Sequence, residues 1–95
     1  MKADLITRFR NVSEDGTGIE MVIWLVPESV PPSGHKYKYR LAYIHNGDRV
    51  VGFDNERGKG DHKHVGDAEM PYVFATTDRL IDDFIKEVER WKLEH

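Results

Sequence analysis

The sequence predicts an α+β domain, an antiparallel meander of four or five strands with one C-terminal helix packed on one face. Segments with a two-residue apolar repeat fill much of the first half of the chain. Turn-forming pairs, Asp15-Gly16 and Asn46-Gly47, separate these segments at hairpin spacing. Apolar residues then recur at helical spacing from Leu80 to Trp91. Because a lone helix must bury its apolar stripe, we expect it to cover the sheet.

The first two predicted strands form a hairpin. Residues 4–12 alternate between apolar and basic side chains, which is typical of an edge strand. Residues 19–26 are apolar on both faces and indicate a central strand. Pro27 ends that strand, and three prolines and two serines within residues 27–34 predict an irregular loop.

The third predicted strand, residues 36–45, alternates strictly between its two faces. We expect the helix to cover the face formed by Tyr37, Tyr39, Leu41 and Tyr43. The other face carries Lys36, Lys38 and Arg40. Residues 49–54 return beside this strand and lead into a polar segment. Residues 65–71 are predicted as a turn and residues 72–74 as a short strand, before Thr76 or Thr77 caps the helix.

The polar segment, Asp54 to His64, contains no apolar side chain. We therefore expect a surface or cleft loop, in which Gly58 and Gly60 permit positive φ angles. Loops held by rigid strands often carry function, although a solvated charged connector is the alternative. Asp54 is also suited to a partly structural role, because aspartate often caps turns through its own backbone.

Composition narrows the possible chemistry. The chain has no cysteine, which excludes disulfides, thiolate metal sites and cysteine nucleophiles. Residues 35–64 carry seven Lys/Arg against four Asp/Glu, a net charge of +3, whereas the rest carries seven against thirteen, a net charge of −6. This asymmetry predicts a localised anion-binding face.

The ends of the chain and its apolar runs predict a cytoplasmic protein without membrane contact. Nothing near Met1 resembles a signal peptide, and the longest apolar run, residues 21–27, is too short to span a bilayer. We expect one domain, residues 1–92. The final Leu93-Glu94-His95 resembles the remnant of an expression tag.

The polar segment supplies the groups that metal-independent RNA cleavage needs. Histidine serves as general acid or base, and cations stabilise a phosphorane while the ribose 2′-hydroxyl acts as nucleophile. The candidate catalytic residues are His62, His64, Arg57, Asp61 and Asp54. The candidate binding residues are Lys59, Lys63, Arg40, Lys38, Lys36 and Glu56. His35 and His45, at strand ends, are expected to be solvated.

A metal site is the alternative for the two histidines. If residues 62 and 64 lay on a strand, both side chains would project to one face and could share an ion with Asp54, Asp61 or Glu56. However, no downstream histidine or cysteine completes the set. We therefore expect no metal and no cofactor.

The segments Tyr37–Leu41 and Val51–His64 resemble the TumE-like toxins of toxin–antitoxin pairs. The likeness continues at Pro71-Tyr72, at Phe74 and from Leu80 to Phe84, and Phe53 departs from the tyrosine expected in relatives. The resemblance implies a toxin partnered by a helix-turn-helix antitoxin. Two hypotheses remain open: an endoribonuclease, whose site is the polar segment with Arg40, and a non-enzymatic module, whose basic face binds nucleic acid or an acidic partner.

Overall fold

The computed structural model describes residues 3–95 and confirms the α+β class, with a six-stranded sheet where four or five strands were predicted. Met1 and Lys2, with which the predicted domain begins, lie outside the described residues. All neighbouring strands are antiparallel and pair in chain order, so the sheet is a meander. The strands are β1 (Asp4–Val12), β2 (Gly18–Leu25), β3 (Tyr37–His45), β4 (Asp48–Glu56), β5 (Gly60–Val65) and β6 (Ala68–Pro71), followed by helix α1 (Thr77–Glu94).

The polar segment is a hairpin, which corrects the prediction of a loop. Asp54 continues β4, and its Cα partner on β5 is His62. Residues 57–59 form the turn, which Gly58 and Gly60 close with φ angles of 87° and 76°. Apolar alternation is one signal for a strand but not a requirement, because the backbone ladder can form between polar residues.

The segment after β5 was also predicted wrongly. Residues 68–71 form β6 where a turn was expected, because Gly66-Asp67 makes a tight hairpin that pairs Val65 with Ala68. Tyr72 and Phe74 lie in an irregular connection instead of a strand. Both rings pack against the hydrophobic core.

Helix α1 covers the sheet face that the sequence predicted. The Thr76 hydroxyl accepts a hydrogen bond from the Arg79 amide at 3.0 Å and caps the helix. The core between helix and sheet contains the helix residues Leu80, Phe84 and Val88 and the sheet residues Ile23, Tyr39, Leu41, Tyr43, Val51 and Phe53. The helix also includes Leu93 and Glu94, which the sequence analysis left outside the domain. No helix in residues 3–95 is long and apolar enough to cross a bilayer.

The sheet therefore has a helix face and an opposite face, here called the open face. Side chains alternate between the two faces along each strand. On β4, Phe53 lies in the core under the helix, so Asp54 projects to the open face. The partners across the ladder place His62 beside Asp54 and His64 beside Gly52, on the same open face.

Candidate functional site

The pleat of β5 divides the predicted site residues between the two faces of the sheet. Asp54, His62 and His64 come together on the open face, and we call them the open-face cluster. Asp61 and Lys63 project to the helix face instead.

The open-face cluster is compact and largely buried. Nε2 of His62 lies 2.6 Å from Oδ1 of Asp54, and Nε2 of His64 lies 4.0 Å from the same oxygen. The two imidazole rings meet edge to face at 5.0 Å between centroids. His62 exposes 4 % of its surface and Asp54 exposes 8 %. A carboxylate buried to this degree needs a positive partner, since burying an unpaired charge is costly.

The backbone fixes the orientation of His62. Its Nδ1 lies 3.0 Å from the carbonyl oxygen of Gly60, so Nδ1 carries a proton and donates it. Nε2 therefore faces Asp54 either as a second N–H, in an imidazolium, or as a bare lone pair. The short approach does not have hydrogen-bond geometry, and no donor among residues 3–95 satisfies Oδ1 of Asp54. The side-chain nitrogen atoms recorded near this oxygen are Nε2 of His62 and Nε2 of His64.

His64 is held as a neutral imidazole. Burial lowers its pKa, and the nearby charge of Arg49 lowers it further, against the opposing effect of Asp54. Gly52 leaves room for Arg49, because a Cβ at position 52 would lie 3.0 Å from Cδ of Arg49 and the arginine side chain would have to shift. At neutral pH, His64 thus keeps a free nitrogen lone pair.

Glu69 and Lys59 form the rim of the cluster. Glu69, on β6, lies 4.0 Å from Nε2 of His62 through Oε1 and 4.0 Å from Nδ1 of His64 through Oε2. Lys59 approaches Oε1 of Glu69 at 3.2 Å, and this contact lowers the pKa of the Glu69 carboxyl. Glu69 is not among the site residues that the sequence predicted. The sequence feature that could have identified it is the Gly66-Asp67 pair, because a tight turn at these residues brings Glu69 opposite His64.

Basic side chains continue the open face towards the first strand. Arg40 is exposed and lies opposite Asp54 in the β3–β4 ladder. Together with Arg8 and Arg10 it lines a shallow groove over β1, β2 and β3. Within residues 3–95, neither Arg8 nor Arg40 has a carboxylate at ion-pair distance, so both guanidinium groups remain available to an anionic ligand.

Asp61 belongs to a second cluster, on the helix face. Its Oδ2 accepts the Tyr39 hydroxyl at 2.7 Å and lies 2.6 Å from Nε2 of His35, and its Oδ1 accepts the Ser33 hydroxyl. Burial alone would raise the pKa of Asp61, but these three hydrogen bonds outweigh it, and the pKa lies below its usual value. Burial and the bond to Asp61 raise the pKa of Tyr39.

His35 is therefore not solvated, contrary to the prediction. Its ring stacks on Phe74 at 3.9 Å between centroids, and its Nδ1 accepts the Tyr37 amide at 3.1 Å. With Nδ1 as acceptor, Nε2 is the donor to Asp61, and His35 has a structural role. His45, the other predicted bystander, is half-buried and packs on Trp91 at 4.9 Å.

The remaining predicted residues lie apart from the open-face cluster. Lys38 donates to the backbone carbonyl of Asn55, and Lys63 lies 3.8 Å from Glu87 of the helix. Arg57 lines another groove, together with Lys38, residues 26–28 and Val30. Glu56 and Lys36 are exposed and lie at the hairpin turn and before β3, respectively.

The donor atoms of the open-face cluster also have the composition of a metal site. One atom from each of Asp54, His62 and His64 can be chosen so that all three lie within 4.8 Å of one another. Among residues 3–95 this is the one cluster of histidine and acidic side chains with that property.

Comparison with known families identifies the chain. The family model described as "Toxin TumE" matches residues 2–92. Neither a curated protein nor a solved structure gives a significant match. The match extends over nearly the whole chain and agrees with the resemblance seen in the sequence, and we conclude that this protein belongs to the TumE toxin family.

Proposed function

We propose that this TumE-family toxin cleaves RNA in the cytoplasm, and that the open-face cluster is its reactive centre. The observation that carries the proposal is the convergence of Asp54, His62 and His64 on one sheet face. The same face also presents Arg8 and Arg40, which have no carboxylate at ion-pair distance within residues 3–95. Family membership supports the toxin role. The further proposal of a helix-turn-helix antitoxin as partner rests on the family resemblance.

The arginines of the open face supply the affinity for RNA. Arg8, Arg10 and Arg40 line one groove, and guanidinium groups pair with phosphates through two parallel hydrogen bonds. Arg40 lies next to Asp54 across the ladder, so a phosphodiester held by Arg40 would lie close to the two histidines. The basic groove thus leads to the cluster.

The proposed reaction is an internal transesterification. The ribose 2′-oxygen attacks phosphorus, the bond to the 5′-oxygen breaks, and the products are a 2′,3′-cyclic phosphate and a 5′-hydroxyl. His64, which keeps a free lone pair, accepts the proton of the 2′-hydroxyl. His62 is the proposed proton donor to the leaving 5′-oxygen, through its Nε2, which lies beside Asp54. No protein nucleophile is needed, which agrees with a chain that lacks cysteine.

The test is cleavage of a labelled RNA oligonucleotide by the purified toxin. We expect His64→Ala and His62→Ala each to lower the rate by roughly 10²–10⁴-fold, the usual contribution of a positioned acid or base. His45→Gln is the matched control, because it removes a histidine outside the cluster and should leave the rate unchanged. A 2′-deoxy substitution at the cleaved position should block the reaction.

The same features also support the non-enzymatic alternative. The groove of Arg8, Arg10 and Arg40 would bind RNA whether or not the cluster reacts. Intact RNA after prolonged incubation, together with salt-sensitive binding that the Arg40→Gln variant weakens, would establish a binding module. Toxicity that survives the His62→Ala, His64→Ala double variant would make the cluster a scaffold and refute the proposed reaction.

A further inference from the structure

We propose that Asp54, His62 and His64 form a binding site for one divalent transition-metal ion of the Zn²⁺ type. The inference goes beyond RNA cleavage and does not depend on it, because an ion can bind here whether or not the protein cuts RNA. The donor set comprises two imidazole nitrogens and one carboxylate oxygen. Three protein ligands of this kind, with a further position left open, are typical of accessible zinc sites.

The unsatisfied oxygen of Asp54 is the first argument. Oδ1 is buried and has no hydrogen-bond donor in suitable geometry among residues 3–95, although it is surrounded by nitrogen atoms of two histidines. Buried polar atoms are nearly always hydrogen-bonded, so an exception indicates a missing partner. A metal ion between the oxygen and the imidazoles would satisfy all three groups.

The tautomer of His62 is the second argument. Its Nδ1 donates to the Gly60 carbonyl at 3.0 Å, which directs the Nε2 position at Asp54. Metal-binding histidines have this arrangement, in which one ring nitrogen donates to a backbone carbonyl or carboxylate and the other binds the ion. The hydrogen bond to Gly60 therefore orients His62 in advance.

The position of Glu69 is the third argument. Glu69 lies 4.0 Å from a nitrogen of each histidine and is placed to act as a fourth ligand or to accept a proton from a bound water. Lys59 pairs with Glu69 at 3.2 Å and would limit how far Glu69 can move.

Small side-chain rotations would complete the geometry. Donor atoms around a tetrahedral zinc, with bonds of about 2.0–2.1 Å, lie about 3.3 Å apart. The Asp54–His62 contact of 2.6 Å would open by about 0.7 Å, and the Asp54–His64 separation of 4.0 Å would close by about 0.7 Å. All three residues lie on paired strands, so the backbone already provides the required arrangement.

Calorimetric titration with Zn²⁺ tests the proposal, using the chain that ends at His95 without further tag histidines. We expect one ion per chain, and binding weakened by about 10–100-fold or more in His62→Ala, His64→Ala and Asp54→Asn, since loss of an outer-shell partner alone has that effect. His45→Gln and His95→Gln are the matched controls and should bind Zn²⁺ like the parent. Absence of binding, or equal binding by the cluster variants, would overturn the proposal and show adventitious binding only.

A second measurement avoids variants that fail to fold. In the parent protein, Zn²⁺ should shift the imidazole nitrogen resonances of His62 and His64 and leave those of His35 and His45 in place. Shifts confined to His95, or shifts at every histidine, would contradict a defined site. Neither measurement involves RNA, so failure of metal binding and failure of RNA cleavage remain distinguishable.

Discussion

Replacement of Asn55 by alanine should destabilise the protein more than replacement of any exposed polar residue. Asn55 exposes 0 % of its surface and follows Asp54, the last residue of β4 that pairs directly with β3. Beyond that pair, the Asn55 side chain forms hydrogen bonds with the β3 backbone in place of the backbone–backbone hydrogen bonds. Its Oδ1 accepts the Tyr39 amide at 3.0 Å, and its Nδ2 donates to the Tyr37 carbonyl at 2.7 Å.

The structure sets the size of the expected effect. Asn55→Ala leaves one backbone N–H and one backbone C=O without partners in a dry environment, and each such group costs about 1–3 kcal/mol. The free energy of unfolding should therefore fall by about 2–6 kcal/mol, a large part of the 5–15 kcal/mol that is typical of a whole domain. For a chain of this size, each kcal/mol corresponds to about 4–8 °C in Tm.

Urea unfolding followed by tryptophan fluorescence would measure this loss. Asn11→Ala is the matched control, because Asn11 is exposed on β1 and its change should stay within about 0.5 kcal/mol. Asn55→Asp should be at least as harmful as the alanine variant, since a carboxylate oxygen would face the Tyr37 carbonyl. A loss below about 1 kcal/mol for Asn55→Ala would refute the view that this amide joins the two strands.

Four further predictions concern the core, the charges and the cluster. Phe84→Ala should cost about 3–5 kcal/mol, measured by thermal unfolding, and an unchanged Tm would show that the helix docks elsewhere. Arg40→Gln should reduce the slope of log affinity for RNA against log salt by about 1, whereas a slope equal to that of the parent would remove Arg40 from the RNA interface. EDTA should leave RNA cleavage intact and Zn²⁺ should inhibit it, because imidazole lone pairs donated to an ion cannot accept protons. Activity that EDTA abolishes and Zn²⁺ restores would make the ion part of the catalytic machinery. Burial alone would raise the pKa of Asp83, but hydrogen bonds from Tyr72 at 2.7 Å and Arg79 at 3.1 Å outweigh it, and the pKa lies below its usual value. Asp83 therefore contributes stability above the unfolded-state pKa of about 3.9, and this stability is lost as pH falls through the folded-state value. Asp83→Asn should cost about 1 kcal/mol at pH 7, the usual net contribution of a hydrogen bond, and less below pH 4. Equal losses at both pH values would contradict this account.

The sequence predicted those parts of the fold in which hydrophobicity has a clear period. Alternation located β1 and β3, the apolar run of residues 19–26 located β2, and the Asn46-Gly47 turn located β4. The apolar stripe around Phe84 identified the helix, and the alternation of β3 identified the sheet face that the helix covers. The hairpin of β4 and β5 escaped prediction because its ladder joins polar residues, which carry no apolar period. The short strand β6 escaped because its position depends on the tight turn after Val65.

The sequence predicted which residues are candidates for the site from their chemical type, whereas their arrangement in space depends on how the strands pair. His62 and His64 were expected to share a face if they lay on a strand, and Asp54 was among the possible third members of that set. The separation of Asp61 from them follows only when β5 is known to be a strand. Arg57 was assigned to the same site because it is close in sequence, but the turn carries it to a different groove.

The alternation along β5 also limits which changes of length the chain can tolerate. Asp61 and His62 are adjacent, yet they serve different clusters on opposite faces of the sheet. A one-residue slip in a strand moves every side chain to the other face. One residue inserted between Gly60 and His62 would therefore turn both imidazoles towards the helix and leave the chain composition almost unaltered. Among related sequences, substitutions within this hairpin should be common by comparison with single-residue insertions or deletions, because a substitution alters one contact and a change of length exchanges the two clusters.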